Sequence, residues 1–265
     1  MKREFTDQMG HALLLDYPPK RIVSLVPSQT ELLFDLGLDS EVVGLTKFCI
    51  HPAEKFTTTT KVGGTKKLKM EVIRALQPDL IIGNKEENTQ AEIEALRHEF
   101  PVWMSDINNL NDALDAILRI GDLVDRGPEA AYLHHLIETG FRDLEILARR
   151  RSQPLNVAYL IWKSPYLFAG ANTFIDDILR RNGWHNVVDE ARYPELDLQS
   201  LAERGCELVL LSSEPYPFRE AHQREIAEAL PQARVLLVDG EMFSWYGSRL
   251  VKAIQYFFVA SFFES

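Results

Sequence analysis

The feature that most constrains the fold of this chain is a regular alternation of short apolar runs with amphipathic stretches, interrupted once by a long segment of helical periodicity. Runs rich in β-branched and other apolar residues predict buried strands. They occupy residues 21–26, 42–46, 80–83, 102–104, 156–161, 208–211 and 235–238. Apolar residues at helical spacing predict helices over residues 28–36, 70–76, 89–99, 111–124, 173–181, 198–203, 221–229 and 248–263. Strands that alternate with helices predict parallel sheets covered on both faces.

The interruption is predicted to be one long helix. Pro128 stands where a helix favours its first residue, and apolar side chains recur at helical spacing from there to Arg151. A helix of that length spans roughly 35 Å. Because α/β patterns flank it, the sequence predicts an α/β protein of two lobes with central parallel sheets, joined by a single long α-helix. The predicted domains are an N-terminal lobe over 1–126, a connecting helix over 127–152 and a C-terminal lobe over 153–265.

Composition narrows the classes of partner. The formal net charge is -10, with 26% charged residues. Nucleic acid and anionic membrane surfaces call for a surplus of Lys and Arg, so neither is expected as a partner. No stretch approaches the ~20 apolar residues of a membrane span, so no membrane insertion is expected. Cys49 and Cys206 form no CxxC pair, which argues against a disulfide framework or a zinc knuckle.

The N-terminus gives an expectation about location. Acidic residues and glutamine follow the first three residues at once, and the apolar cluster at residues 12–15 is too short for a signal peptide. We therefore expect a cytoplasmic location for the chain as written, and a periplasmic or surface-associated location if a leader has been trimmed. We also expect a monomer.

Four segments carry a pattern that is known from one family. Residues 21–31 read Arg-Ile-Val-Ser-Leu-Val-Pro-Ser-Gln-Thr-Glu and lead into an apolar helix that ends in Leu36-Gly37. The other segments are Val62-Gly63-Gly64, residues 70–82 and Phe168-Ala169-Gly170. In this order and spacing they resemble the periplasmic binding proteins for cobalamin and iron chelates, the metal receptors with a helical backbone. The resemblance covers nearly the whole chain from about Lys20.

The resemblance implies a binding protein and not an enzyme. Its ligand would be a small-molecule metal chelate held between two lobes: a corrinoid such as cobalamin, an iron siderophore or heme. No cofactor would be required. The partner would be a membrane permease, with the chain serving as the substrate-binding component of an ABC importer.

Candidate ligand contacts in the first lobe follow predicted strands, because ligand sites of open parallel sheets lie beyond the strand carboxyl ends. The resemblance places an aromatic contact at Phe48, whose ring can lie on a flat macrocycle; the alternative is a core residue in a turn. Gly63 and Gly64 either permit close backbone approach to a ligand or serve only the turn. Thr65 completes the set, standing where the cobalamin relatives can carry Trp.

Candidate contacts in the second lobe are mostly aromatic. Trp162 and Tyr166 follow a predicted strand, and Trp245 and Tyr246 follow the last one, flanked by serine and glycine. Rings in such loops are commonly exposed binding groups.

Charged residues near these loops have two interpretations each. Arg249 either pairs with a ligand carboxylate or phosphate, or bridges to Asp239 or Glu241. Glu31 stands in an S-x-x-E pattern after Pro27, so a capping box is its favoured interpretation over a functional acid.

Two further roles are considered. His51, or Cys49 beside it, is a candidate metal ligand, although one His and one Cys do not make a closed metal site. The resemblance implies that one surface glutamate per lobe docks the permease. Glu71 matches the first-lobe position, whereas the second-lobe position falls near Gln199, which is not an acid.

Three alternatives stay open. The first is a chelatase-like or metal-delivery enzyme, although the chain has no GxSxG, HExxH, P-loop or GxGxxG motif. The second is a cytosolic ligand sensor without a transport role. The third is a protein-interaction module whose cleft binds no ligand.

Overall fold

The computed structural model describes residues 1–150 and 153–260, with the backbone alone at Ala260. These residues form two compact units. The first contains Met1–Ile107, Asn111–Leu136 and Tyr246–Arg249; the second contains Asn108–Leu110, residues 137–245 and residues 250–260. The helix predictions for residues 151–152 and 261–263 lie outside the described residues.

The first unit is built on a five-stranded parallel sheet. The strands of the unit, including those outside this sheet, are β1 (Lys2–Thr6), β2 (Ala12–Asp16), β3 (Ile22–Ser24), β4 (Val42–Leu45), β5 (Thr60–Lys61), β6 (Gly63–Gly64), β7 (Lys67–Leu68), β8 (Leu80–Asn84) and β9 (Val102–Ser105). Its helices are α1 (Pro27–Asp35), α2 (Ala53–Thr58), α3 (Met70–Leu76), α4 (Gln90–Arg97) and α5 (Leu110–Leu123).

The order of strands in the first sheet is β5-β4-β3-β8-β9, and every pair is parallel. In the central strand, Val23 lies opposite Ile81 on one side and Gly44 on the other. Strands β3, β8 and β9 are buried on both faces, as expected for a sheet between two layers of helices. Two antiparallel hairpins, β1–β2 and β6–β7, lie outside this sheet. Because the five strands of the sheet are parallel, their carboxyl ends all lie at the same edge of the sheet.

The predicted long helix is present as α6 (Gly127–Ala148), 22 residues in length. Its residues up to Leu136 belong to the first unit and those from Ile137 to the second. In the second unit Gly140 is a point of close packing, because a Cβ there would lie 2.6 Å from Cδ1 of Ile254.

The second unit repeats the architecture. Its strands are β10 (Leu155–Trp162), β11 (Leu167–Phe168), β12 (Trp184–Asn186), β13 (Leu208–Ser212) and β14 (Arg234–Val238). Its helices are α7 (Phe174–Arg181), α8 (Leu198–Glu203), α9 (Glu220–Ala229), α10 (Gly240–Ser244) and α11 (Arg249–Ala260).

In the second sheet β10 pairs with β13, and β13 with β14, in parallel. The short β12 is parallel to the start of β10, and β11 is antiparallel to its end. A buried cluster that includes Leu160, Phe168 and Leu211 fills one face of this sheet. Thr173 caps α7, because its side chain accepts a hydrogen bond from Asp176 N at 3.1 Å.

Three local predictions are wrong. No helix was predicted between residues 46 and 70 or between residues 238 and 248, yet α2 lies in the first of these segments and α10 in the second. The capping box at Ser28 and Glu31 is absent, because α1 begins one residue earlier at Pro27, with Val26 as its N-cap and no side-chain cap. Proline's fixed φ suits the first helical position, so Ser28 and Glu31 lie inside the helix.

Among the described residues, no helix combines the length and the apolar character needed to cross a membrane.

Candidate functional site

The carboxyl edge of the first sheet carries an exposed aromatic ring at Phe48, which is 50% exposed. Lys47 Nζ lies 4.9 Å from the centroid of this ring. A Cβ on Gly64 would lie 3.2 Å from Phe48 Cε2 and 3.4 Å from Lys47 Cε, so the missing side chain lets the ring lie against the β6–β7 hairpin. Lys47 N also donates to Gly63 O at 2.8 Å. Phe48 is thus outside the core, and its proposed ligand contact is sterically open.

Gly63 and Thr65 have clear structural roles in the same hairpin. Gly63 has a φ of 109°, and a Cβ there would lie 2.5 Å from Lys67 O, so the turn itself requires glycine. Thr65 is buried, and its carbonyl accepts a hydrogen bond from Asn88 Nδ2 at 3.1 Å. Their predicted ligand contacts stay predictions.

The loop that follows β8 is held rigidly beside this hairpin. Asn84 Oδ1 accepts from Glu86 N at 2.8 Å and Glu87 N at 3.1 Å, while Asn88 Oδ1 accepts from Asn84 N at 2.9 Å. Burial raises the pKa of the Glu87 carboxyl, and the positive charge of Lys66 partly opposes the shift. The loop is therefore a hydrogen-bonded polar segment that contacts the β6–β7 hairpin at Thr65.

Cys49 is not available as a metal ligand in this structure. Its thiol is buried and lies 3.1 Å from Thr30 Oγ1, which donates to it, and 3.1 Å from Thr46 Oγ1. Burial raises the pKa of the thiol, which disfavours the thiolate that binds metals. His51 is half-buried. No group of three or more His, Cys, Asp or Glu side chains able to hold a metal occurs among the described residues. Coordination by His51 stays a prediction.

The carboxyl end of β10 also carries an exposed ring. Trp162, the last residue of the strand, is 40% exposed. Lys163 Nζ forms an ion pair with Glu225, and Tyr166 Oη donates to Glu225 Oε1 at 3.3 Å. Tyr166 is therefore tied to α9, while the indole of Trp162 remains accessible.

Two residues of this region, Tyr216 beside Trp162 and His222 beside Tyr216, were not predicted from the sequence. Tyr216 lies in the segment between β13 and α9, and its ring centroid is 5.6 Å from that of Trp162, edge-on at 72°. Tyr216 Oη lies 3.4 Å from Nε2 of His222. The sequence signal was present, since residues 214–218 read Glu-Pro-Tyr-Pro-Phe directly after a predicted strand.

Trp245 is buried, contrary to the expectation that the last loop exposes its rings. It is 7% exposed, and its Nε1 donates to Glu214 Oε1 at 2.6 Å. Ser244 Oγ donates to the same oxygen at 3.0 Å. Helix α10, which Asp239 caps by accepting from Glu241 N, places Trp245 at its C-terminal end. A ligand contact by this residue stays a prediction, with little of the indole accessible.

Tyr246–Arg249 is built into the first unit, although both flanking segments belong to the second. Tyr246 is 7% exposed and Arg249 is 5% exposed. Arg249 Nε donates to Glu31 Oε2 at 2.8 Å, a partner that the sequence analysis did not identify. Gly247, at a φ of 93°, allows close approach: a Cβ there would lie 3.1 Å from Ser28 O. Ion pairing with Arg249 thus replaces capping as the role of Glu31.

Comparisons with known proteins agree with this architecture. The sequence model of a family described as "Periplasmic binding protein" matches residues 22–233. A vitamin B12-binding protein of Vibrio parahaemolyticus is 25% identical over 205 residues, covering 74% of this chain and 71% of that protein. An uncharacterized ABC transporter substrate-binding lipoprotein of Bacillus subtilis is 27% identical over 203 residues. The match covers 70% of this chain and 64% of the length of that relative.

Solved structures share the fold. A periplasmic heme-binding protein of Pseudomonas aeruginosa superimposes with a TM-score of 0.80 at 23% identity, covering 93% of this chain and 94% of that one. The periplasmic vitamin B12-binding protein of Vibrio cholerae gives a TM-score of 0.77 at 19% identity, covering 92% and 98% of the two chains. At these identities the likeness establishes the fold alone.

Proposed function

The chain belongs to the periplasmic binding protein family, and from that premise we propose that it binds a metal chelate, a corrinoid or an iron chelate, and delivers it to an ABC importer. Family membership confirms the resemblance seen in the sequence. The structural neighbours confirm the predicted fold class, a two-lobed α/β architecture with parallel sheets and a long helix. Because the family consists of binding proteins, the chain is a binding protein and not an enzyme.

The observation that carries the proposal is an exposed aromatic ring at the carboxyl edge of each sheet. Phe48 in the first unit and Trp162 in the second are both exposed, although side chains of this type are usually covered. Flat macrocycles offer a matching surface for such rings. A relative by sequence is described as a vitamin B12-binding protein and a structural neighbour as a heme-binding protein, and both descriptions support this ligand class. The chelate is cargo, so the proposal requires no resident cofactor.

Titration of the purified protein tests the proposal. We expect hemin or cyanocobalamin to change the visible spectrum at micromolar concentration and to raise the melting temperature. Phe48→Ala and Trp162→Ala should each weaken binding by up to about tenfold, since an aromatic contact contributes about 0.5–1.5 kcal/mol. Tyr132→Ala, which removes an exposed ring on α6, is the matched control. Absence of any response to hemin, cyanocobalamin and ferric siderophores would contradict the proposal.

Docking to a permease is part of the proposal. Glu71 on α3 is exposed, and its carboxylate pairs with Arg74 Nη1 at 2.6 Å. Gln199 on α8 donates to Glu203 Oε1 at 3.0 Å, which places an acid one turn from the predicted second-lobe position. In a reconstituted importer, Glu71→Gln should reduce ligand-stimulated ATP hydrolysis, while Glu54→Gln on the neighbouring α2 should not. Equal activity of both variants would exclude Glu71 from the docking surface.

The proposed site of action is outside the cytoplasmic membrane. The two solved structures named above are described as periplasmic and the Bacillus subtilis relative as a lipoprotein, and none of these descriptions supports the expectation of a cytoplasmic location. We also propose that the chain is a monomer and that its domain boundaries lie at residues 126 and 152. No observation favours the chelatase-like enzyme, the sensor or the interaction module.

A further inference from the structure

A histidine supplies the hydrogen-bond acceptor at the start of α9, close to the exposed ring of Trp162. Arg219 is the N-cap residue of this helix, and arginine carries no acceptor, so its side chain cannot cap the helix. Instead, Arg219 N donates to Nδ1 of His222 at 3.1 Å. A ring nitrogen that accepts a hydrogen bond carries no proton, so this bond exists only while the imidazole is neutral.

The same histidine holds one side of a group of rings at the carboxyl edge of the second sheet. Because Nδ1 of His222 is the acceptor, Nε2 carries the proton of the neutral ring and donates to Tyr216 Oη, 3.4 Å away. Phe218 packs on Tyr216 with ring centroids 4.7 Å apart, and Trp162 meets Tyr216 edge-on at 5.6 Å. The position of Tyr216 against Trp162 therefore depends on a histidine that is anchored to the start of α9.

The charges around His222 do not favour a protonated ring in this position. The N-terminal end of a helix carries a partial positive charge, which opposes a further positive charge there. The acid three positions along α9, Glu225, already pairs with Lys163 and accepts from Tyr166 Oη at 3.3 Å. The titratable groups of the neighbouring elements are Tyr216 before α9, Lys163 and Tyr166 after β10, and Arg219, Glu220, Arg224 and Glu225 at or after the start of α9.

We propose that His222 is a pH-sensing positioning residue: gain of a proton breaks the bond from Arg219 N, opens the first turn of α9 and loosens Tyr216 from Trp162. Histidine rings gain their proton between about pH 8 and pH 5. The cap contributes to stability above this range, and its contribution is lost as the pH falls through the range. The structural change belongs to the protein itself. Only its consequence, weaker stacking of a chelate on Trp162 at acid pH, rests on the proposed function.

Hydrogen exchange of the ligand-free protein, followed by NMR, tests the first step at about pH 7.5 and about pH 5.5, on either side of the histidine range. After correction for intrinsic exchange rates, protection of the Arg219, His222 and Gln223 amides should fall about fivefold at the lower pH. A lost side-chain cap shifts the equilibrium of a helix end by about that factor. Equal protection at the two pH values would overturn the inference.

Two substitutions separate the proton from the cap. Glutamine at the third helical position can accept from the N-cap amide but does not titrate, so His222→Gln should keep high protection at both pH values. His222→Ala removes the acceptor and should show low protection at both. His135→Gln, which removes an exposed histidine on α6, is the matched control and should keep the wild-type response. A pH response that persists in His222→Gln would assign the switch to another group and contradict the inference.

Fluorescence quenching by acrylamide follows the second step, the loosening of Tyr216 from Trp162. Of the four tryptophans, Trp162 is 40% exposed, whereas Trp103, Trp184 and Trp245 are buried. A neutral quencher therefore reaches mainly Trp162. The quenching constant should be higher at the lower pH in the wild type and independent of pH in His222→Gln. The same constant at both pH values in the wild type would show that Tyr216 stays in place, against the inference.

The outcomes distinguish this inference from the proposed function. The exchange and quenching measurements need no ligand, so they decide the inference even if neither hemin nor cyanocobalamin binds, a result that would count against the proposed function alone. For whichever of the two binds, the affinity of the wild type should fall at the lower pH by more than that of His222→Gln. Equal losses of affinity in the two proteins would show that His222 does not regulate the site.

Discussion

The chain leaves strands β10 and β14 of the second sheet through segments that are similar in composition and opposite in burial. Each segment carries a tryptophan, a tyrosine and a basic residue within a few positions. At the end of β10, Trp162 is exposed, and the next residue, Lys163, forms a surface ion pair. After β14, Trp245 is buried on Glu214 and Arg249 is buried on Glu31. The anchored segment is thus held by the half-buried Glu214 and the buried Glu31, whereas the open segment pairs only with the exposed Glu225.

The largest difference is expected between the buried Glu31–Arg249 pair and the surface Lys163–Glu225 pair, in their contributions to the free energy of unfolding. Removing one partner of a buried pair leaves an uncompensated charge and costs about 3–5 kcal/mol. We therefore expect Arg249→Met to lower the free energy of unfolding by that amount, measured by urea denaturation. The double variant Glu31→Met/Arg249→Met should recover a large part of the loss, because apolar side chains can replace a buried pair with little cost.

Lys163→Met is the matched control on the other segment. Its partner Glu225 is exposed, and surface pairs contribute little because water screens them. The free energy of unfolding should be nearly unchanged. Equal losses of unfolding free energy in Arg249→Met and Lys163→Met would contradict the expected difference between the buried and the surface ion pair.

Substitutions at Trp245 and Trp162 should differ in their effect on the free energy of unfolding, but by less than the two ion-pair substitutions. Trp245→Phe removes the donor to Glu214 Oε1 from a largely buried site, which costs about 1–3 kcal/mol. Trp162→Phe changes an exposed side chain and should stay within about 0.5 kcal/mol of the wild type. Urea denaturation of both variants measures the difference. A larger loss of unfolding free energy in Trp162→Phe than in Trp245→Phe would contradict this expectation.

The same contrast shows where sequence reasoning succeeds. Local pattern predicted most helices and the main strands of both sheets, because burial on both faces leaves a continuous apolar run and amphipathic packing leaves a 3.6-residue period. Short strands such as β5, β11 and β12 have no such run and were not predicted. Helix α8 was predicted over residues 198–203, the range that it occupies. The long α6 was predicted because no strand-like run interrupts its periodicity.

The candidate site was harder to predict because its determinants are distant in sequence. Glu31 and Arg249 are separated by 218 positions, and a local pattern, the S-x-x-E motif, offered a competing explanation for the acid. Trp245 was expected to be exposed because nothing near it in sequence shows that Glu214 lies within hydrogen-bond distance. Phe48 required the family resemblance, whereas the pairing of Tyr216 with His222 follows from a cap at the start of α9 that only the structure reveals.

The smallest expected effect concerns the ionisation of Glu225. The hydrogen bond and charge of Lys163 lower the pKa of this carboxyl, with a further contribution from the Tyr166 hydroxyl. A lowered folded-state pKa means that the pair contributes to stability above the ordinary glutamate range and that this contribution is lost as the pH falls through the lowered value. Lys163→Met should move the pKa of Glu225 back toward its ordinary value, as followed by NMR titration of the side-chain carbonyl carbon. The small stability difference between this variant and the wild type should vanish at acid pH. An unchanged Glu225 titration would show that the Lys163–Glu225 ion pair is not formed in solution. The segment after β10 would then be held even less firmly than the segment that Arg249 anchors.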